Sequence, residues 1–89
     1  MAIISMFYGI IISMYYFDNR KHKLPHIHVK YQGEQAVFTI PEGKILDGNM
    51  KINKRKLVEA WIEIHKDSLM ADWELAINGE EVFKIEPLK

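Results

Sequence analysis

Apolar side chains alternate with small or polar ones at the start of the chain, which predicts β-strands. The even positions from 4 to 16 are all apolar, whereas Ser5, Gly9 and Ser13 interrupt the odd positions. A period of two indicates a strand with one face on a core. Because residues 1–17 exceed the usual strand length of about five or six residues, we predict two strands that meet within residues 7–10. Their even-numbered side chains are expected to face inward.

Two further alternating stretches predict a hairpin. "HIHVKY" places His26, His28 and Lys30 on the face opposite its apolar residues, and "QAVFTI" returns after a turn at "QGE". The residues predicted to face inward are Ile27, Val29, Tyr31, Ala36, Phe38 and Ile40. The Asp-Gly pair of "DGN" predicts one more hairpin, between "KIL" and "MKI".

Beyond residue 53 the apolar period lengthens from two residues to four, which predicts an amphipathic helix. The stripe consists of Leu57, Trp61, His65, Leu69 and Trp73. We predict Asn53 as the N-cap and Gly79 as the stop signal. Since residues 54–78 would make a long helix for a small domain, a kink or a second cap is predicted at Asp67–Ser68.

These elements predict a single α+β domain over residues 1–89. Its architecture is a curled antiparallel sheet of four to five strands, with one long or kinked helix, or two helices, packed on one face. The segment "EVFKI" is expected to form a short last strand or an extended tail. The uncharged residues 1–17 lack the basic start of a secretory signal and are too interrupted for a membrane span. We therefore expect a soluble, cytoplasmic protein without a membrane partner.

The amino-acid composition excludes some kinds of site and some classes of protein. The chain has no cysteine, which excludes disulfides and thiolate metal ligands. Its formal net charge is zero, unlike that of a uniformly basic DNA-binding domain. The charge is polarised, because residues 18–56 carry nine bases and four acids while residues 57–89 carry three bases and eight acids. Such poles favour a charged partner or contact between two copies.

The first candidate site is the His-x-His pair on the predicted strand. His26 and His28 lie at i and i+2 and should point to the same side, roughly 6.5–7 Å apart. Two imidazoles so placed could share one divalent metal, with His22 or Asp18 as a third ligand. The more ordinary interpretation, which we adopt, is that both imidazoles lie on a solvent-facing strand face beside a cationic loop. Contact with an anion is the other alternative, and apart from such a metal no cofactor is expected.

Histidine also suggests acid–base chemistry, because its ordinary pKa lies near neutral pH. The candidate catalytic residues are His26, His28 and His65. His65 lies inside the apolar stripe, where packing is the more ordinary role, and the spacing pairs it with no nucleophile.

Basic residues in two places could bind phosphates. One group surrounds the histidines, and the other would occupy the first turn of the helix, where free N–H groups attract anions. The candidates are Arg20, Lys21, Lys23, Lys30, Lys54, Arg55 and Lys56. They would form one rim only if the loop and the helix start are neighbours. Tyr15, Tyr16 and Phe17 could stack on bases, although a core position is the more ordinary role.

Several stretches together resemble the small bacterial domain-of-unknown-function family numbered 4160, over nearly the whole chain. They include "FYGIIISMYYFDN", "PHIHVKY" and "KINKRKLVEAWIEIHKDSLMADWELAINGE". The positions that match the family pattern are Asp18, Pro25, His26, His28, Trp61, His65, Leu69 and Trp73. Two features depart from it: the loop between Asp18 and Pro25 is longer and more basic, and Ile27 replaces an aromatic residue.

The resemblance implies a regulatory context rather than a chemistry. Members often lie beside genes of another uncharacterised family, numbered 2442, and such pairs are regarded as toxin–antitoxin candidates. We therefore interpret the chain as a small regulatory or interaction protein, a component of a toxin–antitoxin-like pair. Its partner would be a protein encoded nearby or a second copy. The alternatives are an RNA-binding protein or ribonuclease that uses the basic rim and the strand histidines, and a metal-dependent hydrolase with an H-x-H site.

Overall fold

The computed structural model describes residues 2–20 and 23–89. Within them it shows five strands and one helix, in the order β1 (Ala2–Phe7), β2 (Ile10–Met14), β3 (His26–Tyr31), β4 (Glu34–Thr39), β5 (Ile45–Gly48) and α1 (Ile52–Ile77). Each strand pairs antiparallel with the next, so the sheet order is the chain order. The predicted α+β architecture, an antiparallel sheet with one helix, is confirmed.

The break in the first apolar run falls where it was predicted. Tyr8 and Gly9 have φ values of +51° and +78° and connect β1 to β2, so that Phe7 pairs with Ile10. Positive φ at both central residues is the signature of a tight two-residue hairpin turn.

The prediction that all even-numbered side chains of this run face inward is wrong in β1. Met6 and Tyr8 are 59% and 56% exposed, whereas Phe7 is buried. The cause is an irregularity between Ile3 and Ser5, where the register with β2 shifts. An extra residue in one strand reverses which side chains face the core beyond it.

The second hairpin follows the predicted pattern. Ile27 pairs with Phe38 and Val29 with Ala36, and these four side chains are buried. Ile40 is buried too, and Tyr31 packs against the core at partial exposure.

The hairpin predicted at "DGN" is wrong. β5 ends at Gly48, and the chain enters α1 four residues later. Gly48 has a φ of +78°, and a Cβ there would collide with the carbonyl oxygen of Gln35. The N–H of Asn49 donates to that same oxygen at 3.1 Å. The Asp-Gly pair therefore ends β5 against β4 instead of starting a new strand.

The helix begins earlier than predicted. Its N-cap is Lys51, and Asn53 lies in the first turn, so the assignment of Asn53 as the cap is wrong. The preceding residue, Met50, is buried in the core. The predicted stop is confirmed, because Gly79 has a φ of +72° and its N–H donates to Ala76.

The helix is irregular at His65 rather than at Asp67–Ser68. His65 has φ of −112° and ψ of 20°, which departs from helical values. On either side of it Trp61, Leu69 and Trp73 are buried, which confirms the apolar stripe. Within the described part of the chain no helix is apolar enough over sufficient length to cross a bilayer.

Residues 80–89 form an extended tail, one of the two predicted outcomes. The Ile85 N–H donates to Ile4 of β1 at 2.8 Å. Trp61 Nε1 donates to the carbonyl of Glu86 at 2.8 Å. The tail therefore lies along the outer edge of β1 and fixes the indole of the helix.

Candidate metal centre

The connection from β2 to β3 carries an acidic side chain back over the start of β3. Phe17 takes a left-handed conformation, with φ of +56°, and its N–H donates to Ala76 at 2.9 Å. At the other end of the connection the carbonyl of Pro25 accepts the N–H of Ile40 at 2.9 Å. Because both ends are hydrogen-bonded to regular structure, Asp18 has a defined position above β3.

Asp18 meets both histidines of β3. Its Oδ2 lies 2.8 Å from His26 Nε2 and 2.6 Å from His28 Nε2. One ligand atom from each of the three side chains falls within 4.8 Å of the other two. The predicted same-side placement of the imidazoles is therefore found, and Asp18, named from the sequence as a third ligand, joins them. His22, the other third ligand considered, lies outside the described residues.

The prediction that both imidazoles face solvent is wrong for His26. That residue is 1% exposed, and its ring centroid lies 5.0 Å from that of Trp73. The side chains of His28 and Asp18 retain 22% and 24% exposure. The cluster is therefore a shallow opening, with His26 as its floor and the other two side chains at its mouth.

The hydrogen positions of His26 follow from its neighbours. Nδ1 lies 2.7 Å from the carbonyl oxygen of Leu24, which can only accept, so Nδ1 carries a hydrogen. In the neutral ring Nε2 then has a lone pair, and this lone pair faces the acceptor Asp18 Oδ2. Such a contact needs either a second hydrogen on the ring, which makes His26 a cation paired with Asp18, or a metal ion that binds both atoms. A histidine that donates to a backbone carbonyl through one nitrogen and offers the other is the usual arrangement of a metal ligand.

The ring of His28 is held from one side. Tyr15 stacks on it with ring centroids 3.9 Å apart and an interplanar angle of 10°. Tyr15 is three residues before Asp18, so the same connection supplies both the carboxylate and the stacking ring. The stack fixes the plane in which His28 Nε2 points.

The basic residues do not form one rim. Arg20 and Lys23 lie exposed in the connection, and Lys30 lies exposed on β3. Lys54, by contrast, lies over the ring of Tyr31 at the far end of β3. Twenty-two residues of α1 separate Lys54 from Ala76, next to the cluster, and at 1.5 Å per residue this is about 30 Å.

The helix start thus lies at the Tyr31 end of β3, away from Arg20 and Lys23, whereas Lys30 is the residue before Tyr31. Arg55 of the helix start pairs with Glu59 at 3.7 Å, and Lys56 lies beside it, exposed. Lys21 falls outside the described residues. Only the loop cations and Lys30 lie near the Asp18 cluster.

A family profile described as "Domain of unknown function (DUF4160)" matches residues 9–74. The chain belongs to the DUF4160 family. The match confirms the resemblance that the sequence shows, and it includes Asp18, His26, His28 and both tryptophans of α1. Comparison with curated proteins and with solved structures returned no match.

His65 does not join the centre of this DUF4160 protein. It is half-buried on α1, with its ring centroid 5.5 Å from that of Trp61. Together with Ser68 and Asp72 it lines a groove of about 320 Å³ between α1 and the tail. Packing against Trp61 is the role that these contacts support.

Sequence reasoning missed Asp72. This residue is 3% exposed, and its Oδ1 accepts the N–H of Phe83 at 3.1 Å. Oδ2 is buried and has no hydrogen-bond partner among the residues that the structure describes. Burial raises the pKa of the Asp72 carboxyl, and the hydrogen bond from Phe83 opposes that rise. The only sequence signal is a charged residue next to Trp73 on the apolar side of the helix.

Proposed function

We propose that this DUF4160 protein binds a divalent transition metal ion, with zinc as the first choice, and uses it for hydrolysis. The ligands are Asp18 Oδ2, His26 Nε2 and His28 Nε2. The observation that carries the proposal is the convergence of these three ligand atoms within 4.8 Å, with His26 Nδ1 at 2.7 Å from the Leu24 carbonyl and Nε2 facing a carboxylate. The metal-dependent hydrolase with an H-x-H site is one of the alternatives that the sequence leaves open.

The donor set suits zinc. Two imidazoles and one carboxylate are its common ligands, at roughly 2.0–2.2 Å, and three protein ligands leave a fourth position for water or substrate. Tetrahedral ligands at such lengths lie about 3.3 Å apart. The present contacts of 2.6 and 2.8 Å would therefore have to open by about half an ångström. Asp18 can make this movement because its side chain is 24% exposed.

The remaining contacts assign roles to the chain's own residues. The Leu24 carbonyl orients His26, Tyr15 orients His28, and Trp73 covers the inner side of the site. The exposed edges of Asp18 and His28 admit water to the fourth position. A bound zinc ion would lower the pKa of a water ligand to about 7 and so would supply a nucleophile at neutral pH.

The test is metal analysis of protein purified without a histidine tag. We expect about one zinc ion per chain after loading and dialysis, and a melting temperature that falls when a chelator is added. Asp18→Asn and His28→Gln should each lower zinc affinity by a factor of at least about 100, which is the upper end of what loss of an outer contact costs. His65→Gln is the matched control, because it removes a histidine outside the cluster.

The hydrolytic proposal would fail on two results together. They are a metal content near zero after loading, and a melting temperature that a chelator leaves unchanged. In that case Asp18, His26 and His28 share protons only and hold the connection against β3.

The protein partner predicted from the sequence is a second proposal. The basic and acidic halves of the chain favour it, since such poles suit a charged protein surface or a second copy. We propose a partner encoded nearby, in a toxin–antitoxin-like pair. Co-expression with the adjacent gene should give co-purification and a change in growth. A strictly monomeric protein that recovers no partner would count against it.

A further inference from the structure

Three basic residues lie close to the Asp18 cluster along the chain. Arg20 and Lys23 lie in the connection, and Lys30 follows His28 by two residues, about 7 Å along the strand. Among the described residues none of the three forms an ion pair, unlike Arg55 and Lys66, which pair with neighbouring acids. Positive charges of one sign near the cluster raise the local concentration of anions. The centre therefore attracts anions from two sides.

The cations limit the path of such an anion. Arg20 and Lys23 lie on the loop side of the cluster and Lys30 lies on the strand side, so a chain of phosphates can pass over the centre between them.

An aromatic platform lies beside the centre. Phe17 directly precedes Asp18 and is 61% exposed. Its backbone is fixed by the hydrogen bond to Ala76, and its ring rests on Gly79, where a Cβ would collide with it. A ring supported on one side and open on the rest suits stacking of a base, because every base has a π face. Stacking of this kind needs an unpaired base, which a duplex does not offer.

From these contacts we infer that the substrate is a single-stranded nucleic acid. Arg20, Lys23 and Lys30 hold its phosphates, and Phe17 stacks on one base. This inference rests on the proposed hydrolytic centre, and it excludes the cations of the helix start from the binding surface. In the reaction a water oxygen bonds to phosphorus while the bond from phosphorus to one sugar oxygen breaks. One proton of the water goes to that sugar oxygen, and the other goes to solvent.

Binding is tested separately from catalysis, with a fluorescent twelve-nucleotide uridine RNA and the metal-free protein in chelator. Fluorescence anisotropy between about 25 and 300 mM salt gives the affinity and its salt dependence. We expect the logarithm of the affinity to fall by roughly 0.7 per phosphate contact for each logarithmic unit of salt. The deoxythymidine strand should bind comparably, and a duplex more weakly.

Two pairs of variants locate the surface. Lys30→Glu should weaken binding at least about tenfold and reduce the salt slope, because it removes a phosphate contact. Lys56→Glu is the matched control, because it makes the same charge change on an exposed lysine of the helix start, outside the proposed surface. Phe17→Ala should weaken binding about tenfold without changing the salt slope, whereas Phe17→Tyr should keep it. Melting temperatures of all four variants report whether each protein is folded.

The outcomes separate the two proposals. Zinc binding without RNA binding overturns the substrate inference and leaves the metal centre in place. RNA binding that depends on Lys30 and Phe17, without zinc uptake, supports the nucleic-acid surface and overturns the hydrolytic centre. Equal losses in Lys30→Glu and Lys56→Glu overturn the location of the surface, since only a diffuse attraction would treat both sites alike.

Discussion

Replacing Asp72 with asparagine should stabilise the protein at neutral pH. The wild-type carboxylate is 3% exposed, accepts one hydrogen bond through Oδ1, and has a buried Oδ2 without a partner in the described structure. An unsatisfied buried polar group costs about 1–3 kcal/mol, and more when it is charged. Asparagine keeps the Oδ1 acceptor and has nearly the same shape, but it removes the charge.

The gain in the free energy of unfolding equals the cost of burying the Asp72 charge minus the smaller cost of burying an unpaired amide group. We expect about 1 kcal/mol from this difference. In a domain of this size each kcal/mol raises the melting temperature by about 4–8 °C. Asp67→Asn is the matched control, the same substitution at an exposed position of α1.

The pH dependence gives a sharper test. Burial raises the pKa of Asp72 in the folded state, so the folded protein binds more protons than the unfolded chain between about 3.9 and that raised value. The free energy of unfolding of the wild type therefore falls as pH rises through this window. The asparagine variant has no such titration. Its advantage should be full above the window and vanish below the ordinary carboxyl pKa of about 3.9.

Urea denaturation of both proteins between pH 3 and 8 measures the effect. The reasoning is wrong if the variant is less stable at pH 7, or if its advantage grows as the pH falls. Either result would mean that the charge of Asp72 is stabilised in the groove, not penalised.

Other substitutions test separate contacts. Gly48→Ala should destabilise the protein by about 1–3 kcal/mol in urea denaturation, because the new Cβ meets the carbonyl of β4 at a positive φ; an unchanged midpoint would contradict this. Tyr15→Leu should lower zinc affinity about tenfold while Tyr15→Phe retains it, since the ring and not the hydroxyl stacks on His28; calorimetric titration decides. Trp61→Phe removes the hydrogen bond to Glu86 and should speed proteolysis of the tail, with a loss of about 1 kcal/mol in stability.

The elements that the sequence predicts best are those with a sustained period. The four-residue spacing from Trp61 to Trp73 and the alternation around Phe38 needed no knowledge of distant contacts, and both are confirmed. Met6 shows the limit, because a single register shift earlier in β1 turns its side chain outward. Asn53 has the right chemistry for a cap, but the helix begins two residues before the position that this cap predicts, with Lys51 at the N-cap and no side-chain capping bond.

The sequence was enough to name Asp18, His26 and His28 as a candidate cluster, but it did not predict that His26 is buried. Strand periodicity places His26 and His28 on one side, and Asp18 is near them in sequence. The cover over His26 depends on the left-handed conformation of Phe17 and on Trp73, which only the folded chain brings there. The burial of Asp72 could not be predicted from the sequence. Its hydrogen-bond donor is the backbone N–H of Phe83, in a tail that shows no hydrophobic periodicity.

The position of residues 80–89 also affects whether copies of this protein associate through the edge of the sheet. Unpaired strand edges invite pairing with another chain. Here the tail occupies that place beside Ile4, while Ile3 and Met6 remain partly exposed next to it. A protein shortened after Gly79 would offer an open hydrogen-bonding border flanked by apolar side chains, and we expect it to form aggregates at concentrations where the longer chain stays dispersed.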